Sequence, residues 1–193
     1  MSRIYLSPIG AVNGETLSML ARHVGELFGF DSEVSTSFPE PDYAFDARRG
    51  QYSSTVILRN LSSVTPPDAT RFVGVTGCDL YIPMITFVYG QAQLCGRTAI
   101  ISLARLGQAF YGLRPNKEVE MRRARKEIAH ELGHTFGLVH CGDRSCLMSL
   151  STEIVQVDLK SEDFCASCWK LLDEEIAKAK RQVKRTTVPE MIG

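Results

Sequence analysis

Apolar and polar residues fall in blocks whose period changes along the chain. Residues 3–9, RIYLSPI, read as a first strand. The next block repeats apolar side chains at helical spacing: Leu17, Leu20, Ala21, Val24, Leu27 and Phe28. That spacing gathers them on one face of a helix. Asn13 stands where an N-cap is needed, Glu15 falls in the first turn, and Gly29 can close the helix. SEVSTSF (32–38) is expected as a second strand, and PEPDYAFDARRG (39–50) as a loop punctuated by Pro and Gly.

Between Gln51 and Leu61 the period fits either element. A helix is expected, because Tyr52, Val56 (or Ile57) and Leu61 would leave the other face polar. RFVGVTG (71–77), MITFVYG (84–90) and RTAIISLA (97–104) are rich in β-branched and aromatic residues and read as strands. A long helix is predicted from near Asn116 into the histidines, and a charged one from about Ser161 to Arg185. The order β-α-β-α-β-β-β-α, an irregular segment and a last α predicts an α+β fold, a mixed sheet with helices on it.

With 193 residues the chain has room for one domain with a sizeable core. A single domain over 1–193 is expected, with the sheet and the long helix that reaches the histidines in 1–137 and a C-terminal part in 138–193. Lys and Arg together number 22, as do Asp and Glu, so the net charge is zero. Nothing in that balance recruits nucleic acid or an anionic membrane. No apolar run is long enough to span a bilayer, and MSRIYLSPIG does not read as a signal peptide. The expectation is a soluble cytoplasmic monomer. In a reducing compartment its six cysteines point to metal ligation or buried thiols more than to disulfides.

Candidate chemistry concentrates in AHELGHTFGLVHCGDRSCLM, residues 129–148. His130 and His134 are four apart, so one helix face can present both imidazoles to one zinc ion. Glu131 lies beside them and can reach a water on that zinc. Continuing the helix would leave His140 out of line. Gly137 can adopt the left-handed conformation that ends a helix and turns the chain, which lets His140 swing back as third ligand. Three protein ligands leave a fourth position open, the arrangement of a catalytic zinc. Three of the four histidines in the chain sit here. The fourth, His23, falls on the polar side of its helix and is expected to be solvated.

Cys141-x4-Cys146 followed by Cys165-x2-Cys168 has the form of a closed, structural four-cysteine zinc site. Two disulfides, or a redox pair at Cys165 and Cys168, are the alternatives. Cys78 and Cys95 lie far from the cluster in sequence and read as buried thiols. Because Cys141 follows His140 directly, a metal held by these thiolates would pin the loop that aims the third histidine. The charged run NKEVEMRRARKE (116–127) reads as a solvated helix face, its arginines being the alternative partner of a substrate carboxylate.

With His130, Glu131, His134, Gly137, His140, Cys141, Cys146, Met148, Cys165 and Cys168 in this order, the chain resembles the archaemetzincins, within the metzincin clan of zinc metallopeptidases. The resemblance implies a compact metzincin-like fold: a mixed twisted sheet, an N-terminal helix, a long active-site helix, then a zinc-stabilised C-terminal segment and helix. It also implies two zinc ions per chain, one catalytic and one structural. Met148 would form an apolar floor beneath the histidines, without being a ligand. A tyrosine found two residues after that methionine in some metzincins is absent, since Ser149, Leu150 and Ser151 follow. MITFVYGQAQ (84–93) is the candidate edge strand for pairing with extended substrate.

The function implied is hydrolysis of peptide bonds by a Glu131-activated, zinc-bound water. Alternatives on the same site are an aminopeptidase or a hydrolase of non-peptide amides. A weakly active or non-catalytic zinc-binding module is the third, against which Glu131 speaks.

Overall fold

The computed structural model describes residues 3–186, with side chains as far as Arg181; the remaining ends of the 1–193 span lie outside the described residues. Along the chain run β1 (Arg3–Ile9), α1 (Gly14–Phe28), β2 (Asp31–Val34), β3 (Phe45–Asp46), β4 (Gln51–Ser53) and α2 (Ser54–Ser63). Then come β5 (Ala69–Thr76), β6 (Leu80–Tyr81), β7 (Gly90–Ala92), β8 (Thr98–Ser102), α3 (Lys117–Thr135), α4 (Ile154–Leu159) and α5 (Ala166–Thr186).

The main sheet has the order β2-β1-β5-β8-β7. Its first four strands are parallel, and β7 closes one edge antiparallel to β8. The central strands are buried along nearly their whole length, as strands covered on both faces must be. Alternation divides their side chains. Ile4, Leu6, Val73, Val75 and Ile101 pack with α1 and α3 on one face, whereas Tyr5, Phe72 and Ile100 pack with α2 on the other. A small second sheet, β3-β4-β6, lies apart from the first. The fold is α+β with a mixed sheet, as the order of elements predicts.

The expected N-cap at Asn13 forms, and Asn116, near which the long helix was expected to start, caps it in the same way. Asn13 Oδ1 accepts the backbone N–H groups of Glu15 and Thr16 at 2.9 and 3.1 Å, and Asn116 Oδ1 those of Glu118 and Val119 at 3.0 and 3.2 Å. Gly29 ends α1 in the left-handed conformation.

Several expectations need correction. The second strand stops at Val34, and of the rest Phe38 makes a single bridge to Ile9. Gln51–Ser53 form β4, and the helix starts only at Ser54. Its buried face carries Ile57, Leu58 and Leu61, while Val56 is exposed. MITFVYG is not a strand; pairing with β8 begins at Gly90. The aromatic content that suggested a strand is spent in packing, with Phe87 set edge-on to Tyr89 and under the Arg105 guanidinium. The segment read as irregular contains α4, and α5 starts at Ala166 rather than near Ser161.

The charged run is not a uniformly solvated face. Arg123, Lys126 and Glu127 are buried, because residues 157–160 lie across that side of α3. Arg123 donates to both Asp158 carboxylate oxygens at 2.7 Å, so it is not free to hold a substrate carboxylate. Lys126 Nζ donates to the carbonyls of Val157 and Asp158 at 2.9 and 3.0 Å. His23 is half-buried, with its Nε2 lacking a hydrogen-bond partner among the described residues, rather than solvated. Cys78 is only half-buried, and Cys95 is exposed on the turn between β7 and β8.

Candidate metal centre

Helix α3 ends in a Schellman turn built on Gly137. The Gly137 N–H bonds the His134 carbonyl at 2.9 Å, and the Leu138 N–H bonds the Gly133 carbonyl at 3.0 Å. Gly137 has φ of +95°, which a side chain would strain. The chain therefore doubles back and returns the His140 ring to the helix. Ring centroids lie 4.7 Å apart for His130 and His134, 4.9 Å for His134 and His140, and 5.3 Å for His130 and His140.

Zinc fits this donor set. Tetrahedral bonds of about 2.0–2.1 Å separate two ligand nitrogens by roughly 3.3 Å. The Nε2 atoms of His130 and His134 are 3.1 Å apart, and one ligand atom from each of the three histidines lies within 4.8 Å of the others. The outward nitrogens are already committed. His130 Nδ1 bonds the Leu147 carbonyl at 2.9 Å and His134 Nδ1 the Leu138 carbonyl at 2.7 Å. A carbonyl can only accept, so each Nδ1 carries the proton and each Nε2 turns a lone pair inward. Burial holds all three imidazoles below the ordinary histidine pKa, which keeps those lone pairs available.

Glu131 is buried beside them. Burial, then the neighbouring Glu127 carboxylate, push its pKa well up, and Lys160 pulls it back. Its side chain lies against the backbone of β7 at Gly90, and both residues line a cleft with a volume of about 700 Å³. The mouth is apolar, with exposed Ile85, Leu94, Val139 and Leu150 on its rim.

Glu127 and Lys160 line the cleft without having been singled out in the sequence, and Gly90 entered only as part of the candidate edge strand 84–93. A signal existed for Glu127, which stands three before His130 and four before Glu131, on the same helix face. Lys160 carried none, because its partner lies 33 residues earlier.

One ligand atom from each of Cys141, Cys146, Cys165 and Cys168 also falls within 4.8 Å of the rest. Tetrahedral thiolates at about 2.3 Å from zinc stand roughly 3.8 Å apart. Cys141 Sγ and Cys165 Sγ are 3.9 Å apart, and these thiols are free. Cys146 Sγ accepts the backbone N–H groups of Cys165 and Met148 at 3.3 and 3.4 Å. The backbone N–H of Cys168 draws the Cys165 thiol down to about 7, as suits the start of a helix. Burial and its neighbouring cysteines push the Cys168 thiol up. Met148 is fully buried, its Sδ against Gly133 where a Cβ would lie 2.6 Å away.

Three converging imidazoles, a buried carboxylate beside two of them on α3 and a nearby edge strand are the groups a metal-dependent hydrolase requires. Comparison with known proteins narrows the class. The family model for peptidase family M54 matches residues 41–174. An archaemetzincin of Methanocaldococcus jannaschii is 45% identical over 172 residues, covering 89% of this chain and 93% of that protein. The crystal structure of an archaemetzincin from Methanopyrus kandleri superposes with a TM-score of 0.79 at 36% identity, covering 91% of this chain and 95% of the other. A zinc-dependent peptidase from Methanocorpusculum labreanum gives 0.78 at 28%, covering 88% and 99%. The chain belongs to peptidase family M54, the archaemetzincins, and is a zinc metallopeptidase. Among the described residues no helix is long and apolar enough to cross a membrane.

Proposed function

We propose that His130, His134 and His140 hold the catalytic zinc and that Glu131 moves the proton in peptide-bond hydrolysis. One conjunction carries this reading. Two imidazoles have their Nδ1 atoms tied to carbonyls, their Nε2 atoms converge, and a buried carboxylate stands beside them. Zinc bound there supplies Lewis acidity, polarising a carbonyl and lowering the pKa of water toward about 7.

The remaining steps belong to the chain itself. β7 is an edge strand, so an extended peptide can add to it through main-chain hydrogen bonds. Addition there lays the peptide across Glu131. Glu131 takes a proton from the attacking water and gives it to the leaving nitrogen as the C–N bond breaks. Burial and Glu127 raise its proton affinity while Lys160 opposes them, the balance a group needs if it must accept a proton and then release it.

Cys141, Cys146, Cys165 and Cys168 hold a second, structural zinc in the same proposal, and Met148 is the floor under the histidines. Glu131→Gln should keep its zinc and lose about 10²–10⁴-fold in kcat on a mixed peptide library. Cleavage at the wild-type rate by that variant, metal bound, overturns the mechanism. Metal analysis on protein purified without added zinc should find two ions per chain, one readily chelated and one resistant.

A further inference from the structure

The cleft runs past the histidines to a buried pair of charges. Lys160 Nζ lies 2.8 Å from Glu127 Oε1, with the two side chains 1% and 4% exposed. Both residues line the cavity that His130 and Glu131 line. Their contact is ionic but poorly directed. Neither Lys160 Nζ nor Glu127 Oε1 has a hydrogen-bond partner among the described residues. An ammonium offers three donors and a carboxylate oxygen two lone pairs, so both ends of the pair retain unspent capacity in a place where it is costly to leave unspent.

Anchoring the 157–160 segment does not account for this. Arg123 and Lys126 already tie that segment to α3, and both end on well-aligned acceptors. Glu127 differs from them in facing the cleft. It sits one turn before His130 and Glu131 on the same side of the helix, so a side chain that reaches it leaves its own backbone beside Glu131.

We propose that Glu127 and Lys160 form the floor of a side-chain subsite next to the scissile bond, and that this subsite takes a carboxamide, the side chain of glutamine or asparagine. The inference rests on the peptidase reading above. The pair is neutral as a unit. An acidic side chain would meet Glu127, a basic one would meet Lys160, and an apolar one would leave both buried groups unsatisfied. A carboxamide carries no charge. Its entry must part the pair, which is closed to solvent in this structure, and it then offers its oxygen to Lys160 and its N–H to Glu127.

The test uses peptides that differ only in one residue beside a central bond, on either side of it: Gln, Leu, Glu or Lys. Kd is measured on zinc-loaded Glu131→Gln, and cleavage on the wild type. The Gln peptide should bind about tenfold more tightly than the other three. Replacing the pair by apolar residues of similar size, Lys160→Met with Glu127→Leu, should abolish that preference and favour Leu. Glu127→Gln alone is the gentler variant; it leaves the Lys160 charge uncompensated and should shift preference to the Glu peptide. Equal Kd values for the four peptides, or a Gln preference that survives both variants, overturn the proposal. Preference for Gln in binding without cleavage by the wild type supports the subsite and counts against the peptidase reading instead.

Discussion

Gly90 and Glu131 pack together in the wall of the cleft so closely that any side chain at position 90 must displace one of them. A Cβ there would lie 2.6 Å from Glu131 Cγ and 2.8 Å from its Cδ and Oε1. The edge strand and the carboxylate thus fix each other's positions. Gly90→Ala must displace Glu131 or push β7 outward. Overpacking of this kind costs about 1–3 kcal/mol of stability. The larger effect is expected on chemistry, because a displacement near 1 Å costs roughly 10²-fold. Steady-state kinetics with metal analysis checks this: kcat/KM should fall about 10²-fold with zinc content unchanged. Unaltered kcat/KM would show that Glu131 works without the support of the strand.

How much of this was legible beforehand depends on the range of the cause. The caps at Asn13 and Asn116, the turn at Gly137 and the face shared by His130 and His134 are local, set by residues within a turn of one another. Each could be read from spacing. The errors arise where a distant partner decides. Residues 84–89 have strand-like composition, but Arg105 claims the Phe87 ring, which packs edge-on to Tyr89. Arg123, Lys126 and Glu127 have the composition of a solvated helix face until residues 157–160 cover them. In the site itself, the candidate ligands could be read and the Gly90 and Lys160 contacts could not, because those come from other elements.

The Arg123 pair gives a measurable case. Arg123 is buried, and both Asp158 oxygens receive its N–H groups. Asp158 is itself 44% exposed, so water can partly replace it. Asp158→Ala is therefore expected to cost about 1–3 kcal/mol, the range for a charged hydrogen bond with solvent access. Urea denaturation of the zinc-loaded protein checks the size of the loss. A change below a few tenths of a kcal/mol would mean that the 157–160 segment holds its place on α3 without this pair.

Acid should weaken the metal-free protein. Burial lowers the pKa of His23, His130, His134 and His140 in the folded state. Above the unfolded value near 6.5 these residues are neutral in both states and impose no penalty. As pH falls below it, the unfolded chain takes up protons that the folded chain resists, so stability declines through the range between the unfolded and folded values. Chelator-treated Glu131→Gln protein should lose urea midpoint steadily from about pH 6.5 to pH 5. The variant removes the opposing titration of Glu131, whose raised folded pKa would add stability as pH falls through the same range. A flat midpoint below pH 6.5 would mean the imidazoles protonate freely in the fold.

Cys146→Ala separates the two proposed metal sites. Cys146 is no candidate ligand of the catalytic zinc, yet it stands at the centre of the loop that carries one. Its Sγ accepts the N–H groups of Met148 and Cys165, and the Cys141 N–H closes the same loop on the Met148 carbonyl at 2.9 Å. Leu147, between Cys146 and Met148, provides the carbonyl that fixes the His130 tautomer. Removing the thiolate should therefore loosen His130 through Leu147 and His140 through Cys141. Loss of such supporting contacts typically lowers metal affinity 10–100-fold. Competition with a zinc chelator, read at the three-histidine site, measures the change directly. Equal affinity in wild type and variant would mean that Gly137 and the Schellman turn aim His140 unaided, and that the cysteine site serves only to attach α5.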